Sequence, residues 1–332
     1  MTGWSGVRLW DGGDVAQVSE RLTAGADPCA DTGHSFETML HIAAERAVPA
    51  VVAAMAGAAR DPDVLAGGLS PLWLAVYADR YDNACALVAA GADPWLPMMA
   101  GWSPGRLALA GPEPGLFGEP PPGVALTVAE REAVALADEI ADLTEGVHYD
   151  GTGLLCVAGL DATDVIRRLG GTAMTEEQLL AHYGVEAEED PEPGDEDDWR
   201  WLAEMNDLRL VGVSDVPGGC VVTQPWGYQP QTPVVARLLS AGTVAYGLYA
   251  NPKSGNQGIV CRDGVIERSD LHPGGRPWDT DPAAEVLLGY LYRDRAPMYA
   301  CAFAGLRPVD ARCVTGPADH WVLLPDRDYW AR

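Results

Sequence analysis

Lysine is nearly missing from this chain: 21 of its 22 basic residues are arginine, and the exception is Lys253. Carboxamides are scarce as well, with four asparagines and six glutamines in 332 residues. Positive charge as a whole falls short. There are 22 basic against 48 acidic residues, for a net charge of −26 and an isoelectric point near 4.4. A chain without a basic surplus gains nothing from counterion release off a phosphate backbone, so nucleic acid is excluded as a partner. The same charge suits a basic protein or peptide partner, or solubility alone. No apolar run nears the ~18 residues that cross a bilayer. No basic-then-apolar leader opens the sequence, so the reading is cytoplasmic with no membrane partner. Seven cysteines lie between Cys29 and Cys313 without a CxxC, and six histidines occur without HxH or HExxH. Widely spaced thiols in runs such as Leu154-Leu155-Cys156-Val157 fit small buried residues of a reducing compartment. No metal site and no cofactor is expected.

What is present divides the chain. Its length suits two domains or one large one. Gly25-Ala26-Asp27-Pro28 recurs as Gly91-Ala92-Asp93-Pro94, 66 positions on. A helix-opening segment occurs three times, as Thr38-Met39-Leu40-His41-Ile42-Ala43, Ser70-Pro71-Leu72-Trp73-Leu74-Ala75 and Ser103-Pro104-Gly105-Arg106-Leu107-Ala108, with starts 32 and 33 residues apart. Ser or Thr caps each helix, Pro fits its first turn, and Gly25 and Gly91 can take the left-handed conformation that ends a helix. Period and motif resemble the ankyrin repeat. Trp73 and Arg106 stand where that family has histidine, and Asp61-Pro62-Asp63 stretches the middle unit. The resemblance implies a helical solenoid over residues 1–111 that docks a protein through Trp73, Tyr77, Arg80, Tyr81, Trp95 and Trp102. It also implies that His41 hydrogen-bonds within its repeat. Each of those aromatics reads equally well as simple packing.

Residues 112–126 are rich in Pro and Gly and read as a linker. Thr127 with Glu130 forms a capping box for a connecting helix to about Leu143, within a joining region of 112–147. From 148 to 332 the pattern is mixed. Strands are expected at Leu154–Ala158, Leu208–Val213, Cys220–Thr223, Thr243–Ala250 and Gly258–Arg262. Asp263-Gly264 turns the last of these into Val265–Arg268, and late strands are expected at Met298–Ala304 and Trp321–Leu324. Helices are expected over Ala162–Leu169 after the cap Asp161, from Thr175 to Tyr183, over Pro233–Leu239 and over Asp281–Arg293. Residues 186–198 hold nine acids and no base and read as a solvated loop. Without a βαβ alternation the expectation is a mixed α+β domain following the solenoid. The segments from Gly159 to Gly171, Gln224 to Tyr228, and Ser240 through Lys253 to Gly275 also resemble an uncharacterised actinobacterial domain, which implies no activity.

Six of the ten carboxamides fall between Gln224 and Gln257. They surround the lone lysine in Asn251-Pro252-Lys253-Ser254-Gly255-Asn256-Gln257. Carboxamides pair a donor with an acceptor, and an ammonium is a compact charge that arginine does not reproduce. A ligand or protein site is therefore expected at Gln224, Trp226, Tyr228, Asn251, Ser254, Asn256 and Gln257. The alternative is that the amides satisfy the main chain of tight loops. A phosphate loop is disfavoured, because Pro252 precedes the lysine and a strand follows it. The favoured function is a cytoplasmic interaction or regulatory protein, with toxin neutralisation one setting that fits the acidity. The other reading is an enzyme on a recruited peptide or protein, with Lys253, His272 and Asp270 catalytic.

Overall fold

A computed structural model describes residues 3–31, 37–184, 207–251 and 253–331. The acidic block at 186–198 lies outside the described residues. The described residues form thirteen α-helices and eight strands, and the chain divides into two compact units. One unit takes Met1–Val134 and Pro277–Leu291, and the other Ala135–Arg276 and Tyr292–Arg332.

In the first unit the helices α1 (Val15–Thr23), α2 (Met39–Arg46), α3 (Pro49–Ala58), α4 (Pro71–Tyr77), α5 (Tyr81–Ala89) and α6 (Pro104–Ala110) pack in neighbouring pairs. All but α5 begin at a cap or a proline that the sequence supplies. The hydroxyls of Ser70 and Ser103 accept from the N–H of Trp73 and Arg106, and prolines open α3, α4 and α6. His41 is fully buried, its ring joined to Thr38 Oγ1 at 2.8 Å and to the carbonyl of Leu69 at 3.0 Å. Asn83 is spent in the same way, donating to the carbonyls of Ala44 and Ala47 at 2.9 Å each.

A helix from late in the chain, Ala283–Leu291, belongs to this same core. Val286, Leu287 and Tyr290 cluster with Trp73, Leu72 and Trp102. The Trp102 indole N–H donates to the Ala283 carbonyl at 2.8 Å, and the Tyr77 hydroxyl donates to Gly289 at 2.9 Å. The rings of Tyr77 and Tyr290 lie 5.7 Å apart.

The second unit is built on one sheet. Its strands are β1 (Gly153–Ala158), β2 (Thr172–Met174), β3 (Leu210–Val216), β4 (Gly219–Gln224), β5 (Val244–Asn251), β6 (Gly255–Arg262), β7 (Val265–Asp270) and β8 (His320–Leu323). Their order is β2-β8-β3-β4-β1-β5-β6-β7, and every ladder is antiparallel. The unbroken apolar run of β1 is that of a strand covered on both faces. On one face Leu155, Val157, Val222 and Ala245 meet α8 (Ala162–Leu169) and α10 (Pro233–Ser240), α9 being Glu176–Tyr183. On the other, Cys156 and Tyr246 meet Cys301, Tyr299 and Phe303 of the helix Ala296–Phe303. Asp263 and Gly264 both have positive φ, 50° and 78°, the paired left-handed turn that joins β6 to β7. No helix among the described residues is long and apolar enough to cross a membrane.

The expected fold class, an N-terminal helical solenoid followed by a mixed α+β domain, is corrected on two counts. The early helices do not close into a stack of their own, because Ala283–Leu291 completes their core. The later half is organised by a single eight-stranded antiparallel sheet. Met298–Ala304, expected as a strand, lies mostly in the helix Ala296–Phe303. A short run apolar on all sides carries no period to choose between the two, and here the helix covers the sheet.

Two predictions follow from this packing. Trp102→Ala should lower stability by ~3–5 kcal/mol, read as a shift in the urea midpoint, because it empties a fully buried site and removes the indole N–H from Ala283's carbonyl. The second concerns Glu130. Burial opposes its ionisation, but the Thr127 N–H and the Arg106 guanidinium outweigh burial and hold its carboxyl below the usual range. A depressed carboxyl stabilises the fold above its unfolded value, about 4.3, and that contribution disappears as pH falls through the lower folded value. The stability gap between the native chain and Glu130→Gln should therefore be open near neutrality and close in acid, as followed by melting at stepped pH.

Candidate functional site

Across the sheet, Gln224 of β4, Gly153 of β1, Tyr249 of β5 and Gln257 of β6 stand in register as one row. Residues directly opposed on antiparallel strands share a face; at this row β1 begins and β4 ends, while the β5–β6 hairpin runs on to Asn251 and Gly255. The segment Pro225-Trp226-Gly227-Tyr228 leaves β4 here and folds back over the row. It can do so because Gly153 has no side chain, for a Cβ there would overlap the Gly227 carbonyl oxygen. The Gly227 N–H donates to Gly151 at 2.9 Å, and the Trp226 ring occupies the space a Cβ of Gly151 would fill.

Gln224 holds this arrangement from inside. It is 3% exposed; its Nε2 donates to the carbonyls of Leu210 at 3.0 Å and Asp207 at 3.3 Å, and its Oε1 accepts from the Gln229 N–H at 3.0 Å. Gln224 is therefore a clamp on three main-chain groups, which corrects its expected role as a ligand-facing amide. Gln231 behaves alike, its Nε2 donating to the Gln257 carbonyl at 2.7 Å. Asn251 Oδ1 accepts from the N–H of Lys253 at 2.9 Å and Ser254 at 3.2 Å, so it shapes the β5–β6 turn. Gln257 Nε2 donates to Ser254 Oγ at 3.3 Å on the exposed face of that hairpin. Asn256 is half-buried opposite Ala250.

The rings are what remains outward. Trp226 is 52% and Tyr228 38% exposed, and Trp330, near the end of the chain, is 58% exposed. Tyr228 stands edge-on to Tyr249, with centroids 6.0 Å apart at 85°, and tilted to Trp330, at 5.7 Å and 58°. The inclined rings of Tyr228, Tyr249 and Trp330 make a corner lined by aromatic faces, and Trp226, two residues before Tyr228, lies on Gly151. Tyr249, Trp330, Gly151 and Gly153 were not singled out from the sequence. The one signal was the pair of glycines just before an apolar strand, a mark of close backbone approach.

The catalytic candidates do not form a relay. Asp270 accepts from the Tyr246 hydroxyl at 2.6 Å through Oδ2 and from the His272 main-chain N–H at 3.0 Å through Oδ1. It is thus a buttress for a buried phenol and a turn, and it does not orient the imidazole. Burial, with Asp270 beside it, pushes the Tyr246 hydroxyl well above its ordinary value. Lys253 and His272 are both exposed. The thiols of the sheet are inert packing: burial raises Cys261 to about 12 and Cys220 further still. A depression of about 30 Å³ lined by Asp215, Arg312 and Asp319 has room for little more than water, and its acids are engaged. Asp215 accepts from the Ala162 N–H at 2.7 Å and Asp319 from the Asp215 N–H at 3.0 Å.

Of the docking residues expected in the first unit, Trp73 and Trp102 are fully buried and Tyr77 nearly so. These three are core, and their expected place on a contact face is corrected. Arg80 is exposed and donates to the Ala47 carbonyl at 3.1 Å, Tyr81 donates to Asp79, and Trp95 lies half-buried against Gly105. No protein-family model matches the chain, and no curated protein matches it.

The clamp gives a direct prediction. Gln224→Ala removes the side-chain partner of the buried Leu210 carbonyl and Gln229 N–H, while the Asp207 carbonyl keeps the Leu210 N–H, and should cost ~1–3 kcal/mol, whereas Gln257→Ala, on the exposed hairpin, should stay within about 0.5 kcal/mol. Paired urea melts separate the two.

Proposed function

We propose that this chain is a regulatory or interaction protein that binds a protein or peptide partner, and that the aromatic corner of the second unit is its contact surface. The observation that carries this reading is the exposure of Trp226, Tyr228 and Trp330 on a framework of internally satisfied amides. Large rings with polar tips, held rigid before contact, give contact area at little cost in ordering. An enzyme built on Lys253, His272 and Asp270 has less support, since both Asp270 oxygens are committed to Tyr246 and the main chain. The acidity of the chain favours a basic partner by charge complementarity.

The test is site-specific photocrosslinking. A benzophenone side chain placed at Tyr228 of the full chain should give one discrete adduct in lysate of the source organism, and the same probe at exposed Glu145 should give none. Absence of an adduct at position 228, with the chain folded, removes the corner as the contact surface.

A further inference from the structure

We infer that the aromatic corner takes an arginine-bearing segment of its partner, with guanidinium groups stacked on the faces of Trp226, Tyr228 and Trp330; this rests on the partner-binding reading and names the chemistry it would recognise. Three observations converge on it. The first is charge. The chain carries −26 overall, and two exposed carboxylates, Asp150 and Asp328, belong to segments that build the corner. Asp150 directly precedes the Gly151 on which Trp226 rests, and Asp328 accepts the Trp330 main-chain N–H at 2.9 Å. Acids in these segments, within so acidic a chain, favour the approach of a cation over an anion.

The second is the geometry of the rings. Tyr228 lies at 85° to Tyr249 and at 58° to Trp330, so adjacent faces open at an angle in place of a closed stack. A flat guanidinium can lie on one face and still direct its N–H groups sideways to a carboxylate. An ammonium offers no plane and holds its water more tightly.

The third is the company the chain's other aromatics keep. Arg46 lies over Trp10 at 4.6 Å, Arg106 over Trp102 at 4.3 Å and Arg327 over Tyr329 at 4.8 Å. Arginine on an aromatic face is thus a contact this molecule makes repeatedly. At Trp226, Tyr228 and Trp330 no such cation is supplied among the described residues. Arg327 is turned to the neighbouring Tyr329.

The experiment uses the full chain and two short Gly/Ser peptides, one with spaced arginines and one with lysines at the same positions, followed by calorimetry and tryptophan fluorescence. The arginine peptide should bind about tenfold more tightly than its lysine counterpart. Trp330→Ala should remove about tenfold of that affinity with an unchanged melting temperature, while Trp330→Phe keeps most of it. Asp328→Asn should weaken binding several-fold, mainly at low salt. Equal affinity for both peptides, untouched by Trp330→Ala, would mean that only the diffuse acidic field acts and would overturn the inference. Failure of the arginine peptide to bind would overturn it too. If the adduct from position 228 forms while both peptides fail, the partner-binding reading stands and only the arginine chemistry falls.

Discussion

A side chain that is not there sets the geometry of the second unit. Gly153 opens the central strand, and any Cβ at that position would occupy the place of the Gly227 carbonyl. Because it is glycine, the loop after β4 lies flat on the end of the sheet, and Gln224 ties it to the start of β3: its Oε1 accepts from Gln229 N–H in the loop while its Nε2 donates to the carbonyls of Asp207 and Leu210. Gly227 is needed in turn, since a Cβ there would overlap the Gln224 carboxamide. The placement of Trp226 on Gly151 and of Tyr228 against Tyr249 follows from this fit. The rings are exposed, yet they are positioned by buried contacts.

The sheet offers two other places for recognition, and both are blunted. Its long open edge is β7, where a register shift beside Val260 and Cys261 breaks the ladder and Glu267 pairs with Arg262 at 3.3 Å. Irregular, charged edges resist the addition of a further strand. The two faces are covered by helices. What is left is the end of the sheet, where strands β1, β4, β5 and β6 deliver their loops to one place. A binding surface there rests on rigid elements and can still differ in its loops without disturbing the core.

Local chemistry was legible in the sequence wherever a residue acts on its own neighbourhood. Asp161 caps α8, Thr175 and Gln178 close a capping box, Thr127 and Glu130 close another, and Asp263-Gly264 makes the expected turn. Properties set at long range were not. Trp73 and Trp102 face a core whose other wall, Tyr290, comes from far along the chain, so nothing nearby announced their burial. Tyr249 and Trp330 become one surface only through folding, and no spacing in the chain relates them. The helix Ala296–Phe303 could be told from a strand only by the sheet face it fills.

The scarcity of carboxamides has a different meaning in the folded chain from the one first suggested. Gln224, Gln231 and Asn251 each bind main-chain groups where a loop leaves the sheet, and Asn83 does the same between helices. An amide is suited to this because it can donate and accept at once, whereas a carboxylate in a chain already so acidic would add charge to be buried. Gln229 marks the limit of the device, for its Nε2 is buried without a partner among the described residues. The amides cluster because this end of the sheet has the most irregular main chain to satisfy. The irregularity exists because the loop must lie flat for its rings to stand outward. The amides are thus the framework of this end of the sheet, and the rings of Trp226, Tyr228 and Trp330 are its exposed part.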